Sequence, residues 1–269
     1  VGPSDIDSDE NHIYSELGFY YTQQGQAELL ERSVLTNNGK RMTGDSLFYD
    51  RNRGIGEAFQ NVEFVETISK NMLTGDYCFY NQLTGYAFAT DRAVATDFSQ
   101  GDSLFVHADT LQLYTFHVNT DSVYREARAY HKVRFYRTDI QGVCDSLVFS
   151  SKDSCLTLYQ DPILWNGKQQ LLGEEIMVYM NDSTIDWAHI QNQALSVEQL
   201  DSLNYNQVSG KDMKAYFEGG EMKQVDVDGS VRLVYFPMEK DSTLLGMNCS
   251  ETSKLSMFLE NRKLKKMAM

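Results

Sequence analysis

Gly44-Asp45-Ser46-Leu47-Phe48-Tyr49-Asp50 holds the pattern on which the fold turns: a small residue, an acid, then an alternation that puts Leu47 and Tyr49 on one side and Ser46 and Phe48 on the other. Period two is the signature of a strand with one buried face. The stretch returns as Gly75-Asp76-Tyr77-Cys78-Phe79-Tyr80-Asn81, as Gly101-Asp102-Ser103-Leu104-Phe105 and as Cys144-Asp145-Ser146-Leu147-Val148-Phe149. Weaker copies follow at Gly173-Glu174-Glu175-Ile176, Gly210-Lys211-Asp212-Met213 and Gly246-Met247-Asn248-Cys249. The copies begin at residues 44, 75, 101, 142, 173, 210 and 246. So uneven a period suits antiparallel hairpins, whose extra residues go into surface loops, better than a parallel β-helix, whose coils must stack at a fixed length.

Each copy reads as a strand start, followed by a turn and a return strand. The return strands share a small residue ahead of a valine: Ala27 with Val34, Ala58 with Val62, Ala87 with Val94, Ala127 with Val133. Asp50 to Gly54, Asn81 to Gly85, Ser150 to Ser154, Gly219-Gly220 and Asp228-Gly229 supply the turns, since these residues accept positive φ or bond to their own backbone. The expected fold class is therefore all-β, repeated antiparallel strand-turn-strand units stacked in order, with a β-solenoid as the alternative. Alternation assigns one apolar face to the stack. The first strands give it Leu47, Tyr49, Tyr80, Leu104, Leu111, Leu113, Leu147, Phe149, Ile176, Val178, Met213 and Phe217. The return strands add Val133, Phe135, Val225, Val227, Leu233 and Tyr235. Cys78, Val106, Val62, Phe64, Ile163 and Trp165 are read onto the same faces. Such a face needs either a filled core or an apolar ligand, and a groove of this lining takes lipid chains without any catalytic group.

Composition agrees. Among 269 residues there are 16 Tyr and 14 Phe against 3 Pro, which favours a pleated, half-buried surface. The net charge of −14 excludes nucleic acid, whose phosphates need a basic face, and leaves any lipid to be held mainly by its apolar part. No apolar run is long enough to span a membrane as a helix. Cys78, Cys144, Cys155 and Cys249 lack metal or C-x-x-C spacing and read as small hydrophobes, while His12, His107, His117, His131 and His189 are scattered, so neither metal nor cofactor is expected. Residues 1–12, acidic from Ser4 to Glu10, read as a linker or cloning remnant, and 13–269 as a single elongated domain with a bend near 196–207. Ser196 to Leu203 reads as a short connecting helix capped by Ser196.

Units of Gly-Asp-x-apolar-x-Tyr, a turn and Ala-to-Val resemble the OstA family, the organic-solvent-tolerance and lipopolysaccharide-transport proteins of Gram-negative envelopes. The segment from Tyr205 to Pro237 carries the resemblance furthest, with Tyr205-Asn206-Gln207-Val208-Ser209-Gly210, Val225-Asp226-Val227-Asp228-Gly229 and Tyr235-Phe236-Pro237, and looks like the OstA-like proteins of the Bacteroidetes. The resemblance runs from about Leu17 onward. It implies an open β jelly roll in the periplasm, outside any signal sequence, whose inner face holds the acyl chains of lipopolysaccharide or another acylated lipid. It also implies that the open ends pair, strand to strand, with further copies or with other β jelly-roll transport proteins. Few Lys and Arg set this chain apart from a phosphate binder.

Three other readings compete. Gly44 to Leu47 and Gly101 to Leu104 spell the nucleophile block of the GDSL esterases, and Asp186-Trp187-Ala188-His189 fits their Asp-x-x-His block. That fold needs helices between strands, and the serine slot holds Tyr77 and Glu175 in other copies. A carbohydrate-active β protein would need a pair of carboxylates, and none stands out from the charged outer face, although Trp165 and Trp187 are the residue type that stacks on sugars. A structural or protein-binding repeat with a closed core would share the fold and bind no lipid.

Overall fold

The computed structural model describes residues 3–7, 11–37, 39–68, 70–99, 101–118, 120–181, 184–239, 243–260 and 263–269. Among them there is no helix, and every strand pairing is antiparallel, which removes the parallel solenoid. Contacts divide the chain into two compact units, Val1–Thr138 and Asp139–Met269.

The first unit holds β1 (Ser4–Asp7), β2 (Asn11–Tyr21), β3 (Gln26–Asn37), β4 (Lys40–Gly44), β5 (Ser46–Asp50), β6 (Ile55–Glu66), β7 (Asn71–Asn81), β8 (Tyr86–Thr90), β9 (Val94–Asp97), β10 (Leu104–His107), β11 (Thr110–Phe116) and β12 (Tyr124–Tyr136). The short strands are halves of longer runs. β3 pairs through Gln26–Leu29 with β5 and through Ser33–Asn37 with β4, and β6 divides in the same way between β5 and β4. β8 with β9, and β10 with β11, are likewise single runs broken once. Each run therefore crosses two half-sheets and bends between them. The bends align from strand to strand at Gly44-Asp45, Gln60-Asn61, Gly75-Asp76, Asp91-Arg92 and Ala108-Asp109.

Two kinds of corner alternate along that line. One is a pair of left-handed residues, such as Gln60 and Asn61 (φ 57° and 49°) or Asp91 and Arg92 (55° and 61°). A left-handed pair bends the strand as a bulge does, and it needs polar, unbranched residues. The other kind is the Gly-Asp motif. The Asp45 N–H donates to the carbonyls of Phe59 (3.1 Å) and Gln60 (3.0 Å), and the Asp76 N–H to Asp91 (2.8 Å). The carboxylates tie down the facing corner: Asp45 accepts from Arg32 (3.1 Å) and from Asn61 Nδ2 (2.7 Å), Asp76 from Arg92, and Asp109 pairs with Lys132 (2.9 Å). The motif is thus a mid-strand corner, and β7 continues unbroken through Gly75-Asp76.

That corrects the sequence reading in three places. Gly101-Asp102 lies in the turn between β9 and β10, where Asp102 accepts from the Thr138 N–H (3.0 Å), and the true copy in that run is Ala108-Asp109-Thr110-Leu111. Gly246 lies in a loop before the next strand instead of opening a copy. Asp228-Gly229 is a corner within a strand, and no turn forms there. β1 also pairs with β2, from Asp5 opposite Tyr14 to Asp7 opposite His12, so the supposed linker contains a strand.

The second unit repeats the plan with β13 (Gln141–Ser150), β14 (Cys155–Tyr159), β15 (Ile163–Asn166), β16 (Gln169–Leu172), β17 (Glu175–Asn181), β18 (Thr184–Gln199), β19 (Tyr205–Glu218), β20 (Glu221–Tyr235), β21 (Asn248–Glu260) and β22 (Lys263–Ala268). Its corners fall at Cys144-Asp145, Gln160-Asp161, Gly173-Glu174, Asn192-Gln193, Gly210-Lys211 and Gly229-Ser230. The expected helix from Ser196 is absent: Ser196 to Gln199 complete β18, and Leu200 to Asn204 turn the chain into β19. There Ser196 faces Val208 across a ladder that fixes its backbone as strand, overriding the local capping signal.

Candidate functional site

In each unit the two half-sheets meet along the corner line and present apolar faces to each other. The vertex is lined by small side chains. In the first unit these are Ser15, Ser33, Gly44, Val62, Gly75, Ala93 and Ala108, all buried. In the second, a Cβ added at Gly173 would lie 2.5 Å from Ile190 Cγ2, and one at Gly210 would lie 2.6 Å from Val227 Cγ1. Neither glycine has positive φ, so their role is close approach of the half-sheets and not backbone freedom.

Next to the vertex in the first unit, Leu29, Leu47, Ala58, Cys78, Ala89 and Leu111 face one another from strand to strand. They pack against Ile13, Leu35, Met42 and Leu73 of the other half-sheet. One row further from the vertex come Tyr20, Ala27, Tyr49, Gly56, Tyr80, Ala87, Leu113 and Ala127. Tyr20, Tyr49 and Tyr80 share the inner face of the buried row, yet they are 53%, 37% and 44% exposed. The space between the half-sheets therefore opens away from the corners.

The second unit has a fuller interior. Its row next to the vertex is Leu147, Leu158, Ile176, Ile190, Met213, Val227 and Leu255, none more than 8% exposed. The next row is Phe149, Leu156, Val178, Ala188, Ala215, Val225 and Met257, with its middle members buried and its ends half-buried. From the opposing half-sheet come Leu164, Leu171, Val208 and Leu233.

The residues read from the sequence as groove lining fall on these inner faces. Leu47, Leu111, Leu147, Ile176, Met213 and Val227 are in the deep rows; Tyr49, Tyr80, Leu113, Phe149, Val178 and Val225 are in the next, and Phe217 lies further out. Val133, Phe135 and Leu233 belong to the facing half-sheets, with Leu104 and Tyr235 at their rims. Ile163 and Trp165 are misassigned. The kink at Gln160-Asp161-Pro162 shifts the parity of β15, so that Leu164 is the buried neighbour and Ile163 and Trp165 face outward.

Sequence reasoning missed the outer face of the first unit. Phe59, Tyr77, Phe79, Tyr86, Phe88, Tyr114, Phe116 and Tyr124 form a chain of ring contacts across it, with centroids from 4.7 to 6.3 Å apart. Cross-strand aromatic pairs of this kind stiffen a sheet. Burial and a hydrogen bond to Glu57 (2.6 Å) push the Tyr77 hydroxyl up to about 12. Its signal was present in the sequence as the alternate set, Phe48, Phe79 and Phe88, opposite the lining residues. In the second unit the corresponding feature is the Tyr179–Trp187 stack (4.1 Å, 5°), which places Trp187 on the outside and not in the core.

The residues that could carry chemistry are dispersed. Asp186 is the residue passed over in the bulge where the pairing with β17 steps from Trp187 to Ile185; His189 approaches Asp212 (3.6 Å), and burial holds its imidazole below the ordinary value. Ser46 sits at a corner and Ser103 in a turn. Asp5, Asp7 and His12 bring ligand atoms within 4.8 Å of one another, all exposed, and the His12 pKa is raised first by its bond to Asp7 (2.7 Å). The Cys78 and Cys144 thiols are each pushed up to about 12 by burial, as inert core thiols are.

With this geometry in view, comparison with known families gives one result: residues 6–96 match the family model described as OstA-like protein. The match lies in the first unit and covers the Gly44 and Gly75 copies; the Tyr205 to Pro237 segment lies beyond it. No curated protein matches the chain.

Proposed function

We propose that the chain, OstA-like over residues 6–96, is a non-enzymatic lipid-handling protein of the Gram-negative periplasm that shields the acyl chains of lipopolysaccharide, or of a related acylated lipid, on their way to the outer membrane. One observation carries this reading. In the first unit, residues of a single inner face go from buried at Leu47 to well exposed at Tyr49 and Tyr80 within one step along the strand. A core filled to its rim would bury these tyrosines as it buries Ala27 of the same row. An apolar trough open along one side is the shape that solvates lipid tails while leaving a headgroup in water.

Bridging would use sheet edges. Leu17 to Tyr21 of β2 pair only with β3 among the described residues, because β1 covers the other half of β2. Among the described residues, Asn248 to Thr252 of β21 pair only with β20, because β22 covers the other half. Open edges of this kind are templates for strand addition by further copies or by other β jelly-roll proteins.

A second reading, a protein-binding scaffold with a closed core, is favoured for the second unit by the burial of Ala188, Ala215 and Val225 in its next row. Both are tested by mixing the chain with fluorescent or photo-crosslinkable lipopolysaccharide, alongside Leu111→Asp and Phe149→Asp variants shown by circular dichroism to be folded. Capture by wild type with loss in Leu111→Asp is expected. If folded wild type captures nothing, the scaffold reading replaces lipid handling.

A further inference from the structure

The second inner row of the first unit alternates large and small: Tyr20, Ala27, Tyr49, Gly56, Tyr80 and Ala87 stand side by side on successive strands. Strands are about 4.8 Å apart, so tyrosines on alternate strands stand about 9.6 Å apart with a small residue between them. A methylene chain touching a ring on each side needs about 8 Å, twice the carbon–carbon contact distance of about 4 Å. The gap over Gly56, between Tyr49 and Tyr80, is open: a Cβ built there would meet no heavy atom within 4 Å. The second unit offers no such gap at the same level, where Ala188, Ala215 and Val225 are buried among larger neighbours.

The mouth of this gap has its own chemistry. Followed away from the corner, β6 leads from Gly56 through Ile55 to the turn Arg51 to Gly54, where Arg51 and Arg53 are exposed. In a chain of net charge −14, the two arginines of this short turn outnumber the one carboxylate beside them, Asp50, which accepts from the Arg53 N–H (3.0 Å), and leave a single positive charge in excess.

We propose that Tyr49, Gly56 and Tyr80 form a slot for a single unbranched acyl chain of an anionic lipid, with its headgroup at the Arg51 and Arg53 turn. The inference rests on the lipid-handling reading and makes it specific. Gly56 sets the slot's depth, the tyrosines set its width, and a chain carrying a ring or a bulky branch is excluded. The alternation makes room for one chain over Gly56, whereas Ala27, between Tyr20 and Tyr49, is itself buried and floors no second slot.

The test uses the full chain and three photo-crosslinkable probes: a straight-chain C16 fatty acid, the matching C16 alcohol, and a C16 acid bearing a cyclohexyl ring in mid-chain. Gly56→Leu fills the slot from open space at ordinary φ, so the fold should hold, and Gly101→Leu, in equally open surroundings in a turn, is the control. Gly56→Leu should lower capture of the straight-chain acid by about tenfold or more, the equivalent of losing about 1.4 kcal/mol of binding. Gly101→Leu should change nothing. An Arg51→Gln, Arg53→Gln double variant should weaken capture of the acid but not of the alcohol, and wild type should take the ringed acid poorly. If wild type captures the straight-chain probes and folded Gly56→Leu captures them equally, the slot is wrong while lipid handling stands. If wild type captures none of the three, both fall.

Discussion

Gly173 and Gly101 occupy equivalent positions in the repeat as read from sequence and opposite positions in space. A methyl at Gly173 collides with Ile190 (2.5 Å) and crowds the Gln191 carbonyl (3.2 Å), whereas one at Gly101 meets nothing within 4 Å. Gly173→Ala should therefore cost about 1–3 kcal/mol, as overpacking does, while Gly101→Ala should stay within about 0.5 kcal/mol. Urea unfolding of the two variants separates them, and equal midpoints would mean that the vertex tolerates a Cβ. The cysteines give a second residue-scale expectation. At pH 8 the native chain should show one fast thiol, the exposed Cys249, with Cys78 and Cys144 reacting only after denaturation. Burial raises both from an ordinary value of 9.0 to about 12, so the neutral thiol is the native form. Their contribution to stability is whole below pH 9.0 and is lost as pH rises toward about 12. Thiol titration against pH, and unfolding midpoints across the same range, check both statements.

The element that matters is the bent strand. Each run alternates faithfully on either side of its corner, and the corner resets which residues face in. Leu158 and Pro162, Ile190 and Ala194, and Val227 and Val231 all stay buried across their kinks. This is why alternation read from the sequence placed Ile176 and Val178 well and Ile163 badly: Glu175 to Asn181 contains no corner, while Ile163 follows one immediately. Depth along the strand should set the energetic weight of each lining residue. Ile176→Ala, at a side chain with no solvent access, should cost about 2–5 kcal/mol. Val178→Ala, one step further from the vertex and half-buried, should cost distinctly less. Equal losses in chemical denaturation would mean that the second unit's interior is closed to its rim.

At the scale of the molecule, the open edge of β2 is the place to test assembly. If strand addition at Leu17 to Tyr21 joins this chain to another, Phe19→Lys, a charge on the outer face of that edge, should lower self-association in sedimentation velocity and leave the circular dichroism unchanged. Unchanged association would take this edge out of the assembly. The sequence by itself determined the all-β class, the antiparallel repeat and the inner face of most strands. Those depend on local alternation and on turn residues such as Gly85 and Gly219, which act through their immediate neighbours. Only the tertiary structure decided that Gly-Asp marks a corner and not a strand start, and that Ser196 to Gln199 is strand and not helix. It alone showed that Tyr49 and Tyr80 stand exposed on a face whose next row is buried. Each of these is set by what lies across the sheet or across the vertex, at sequence distances over which a local pattern carries no information.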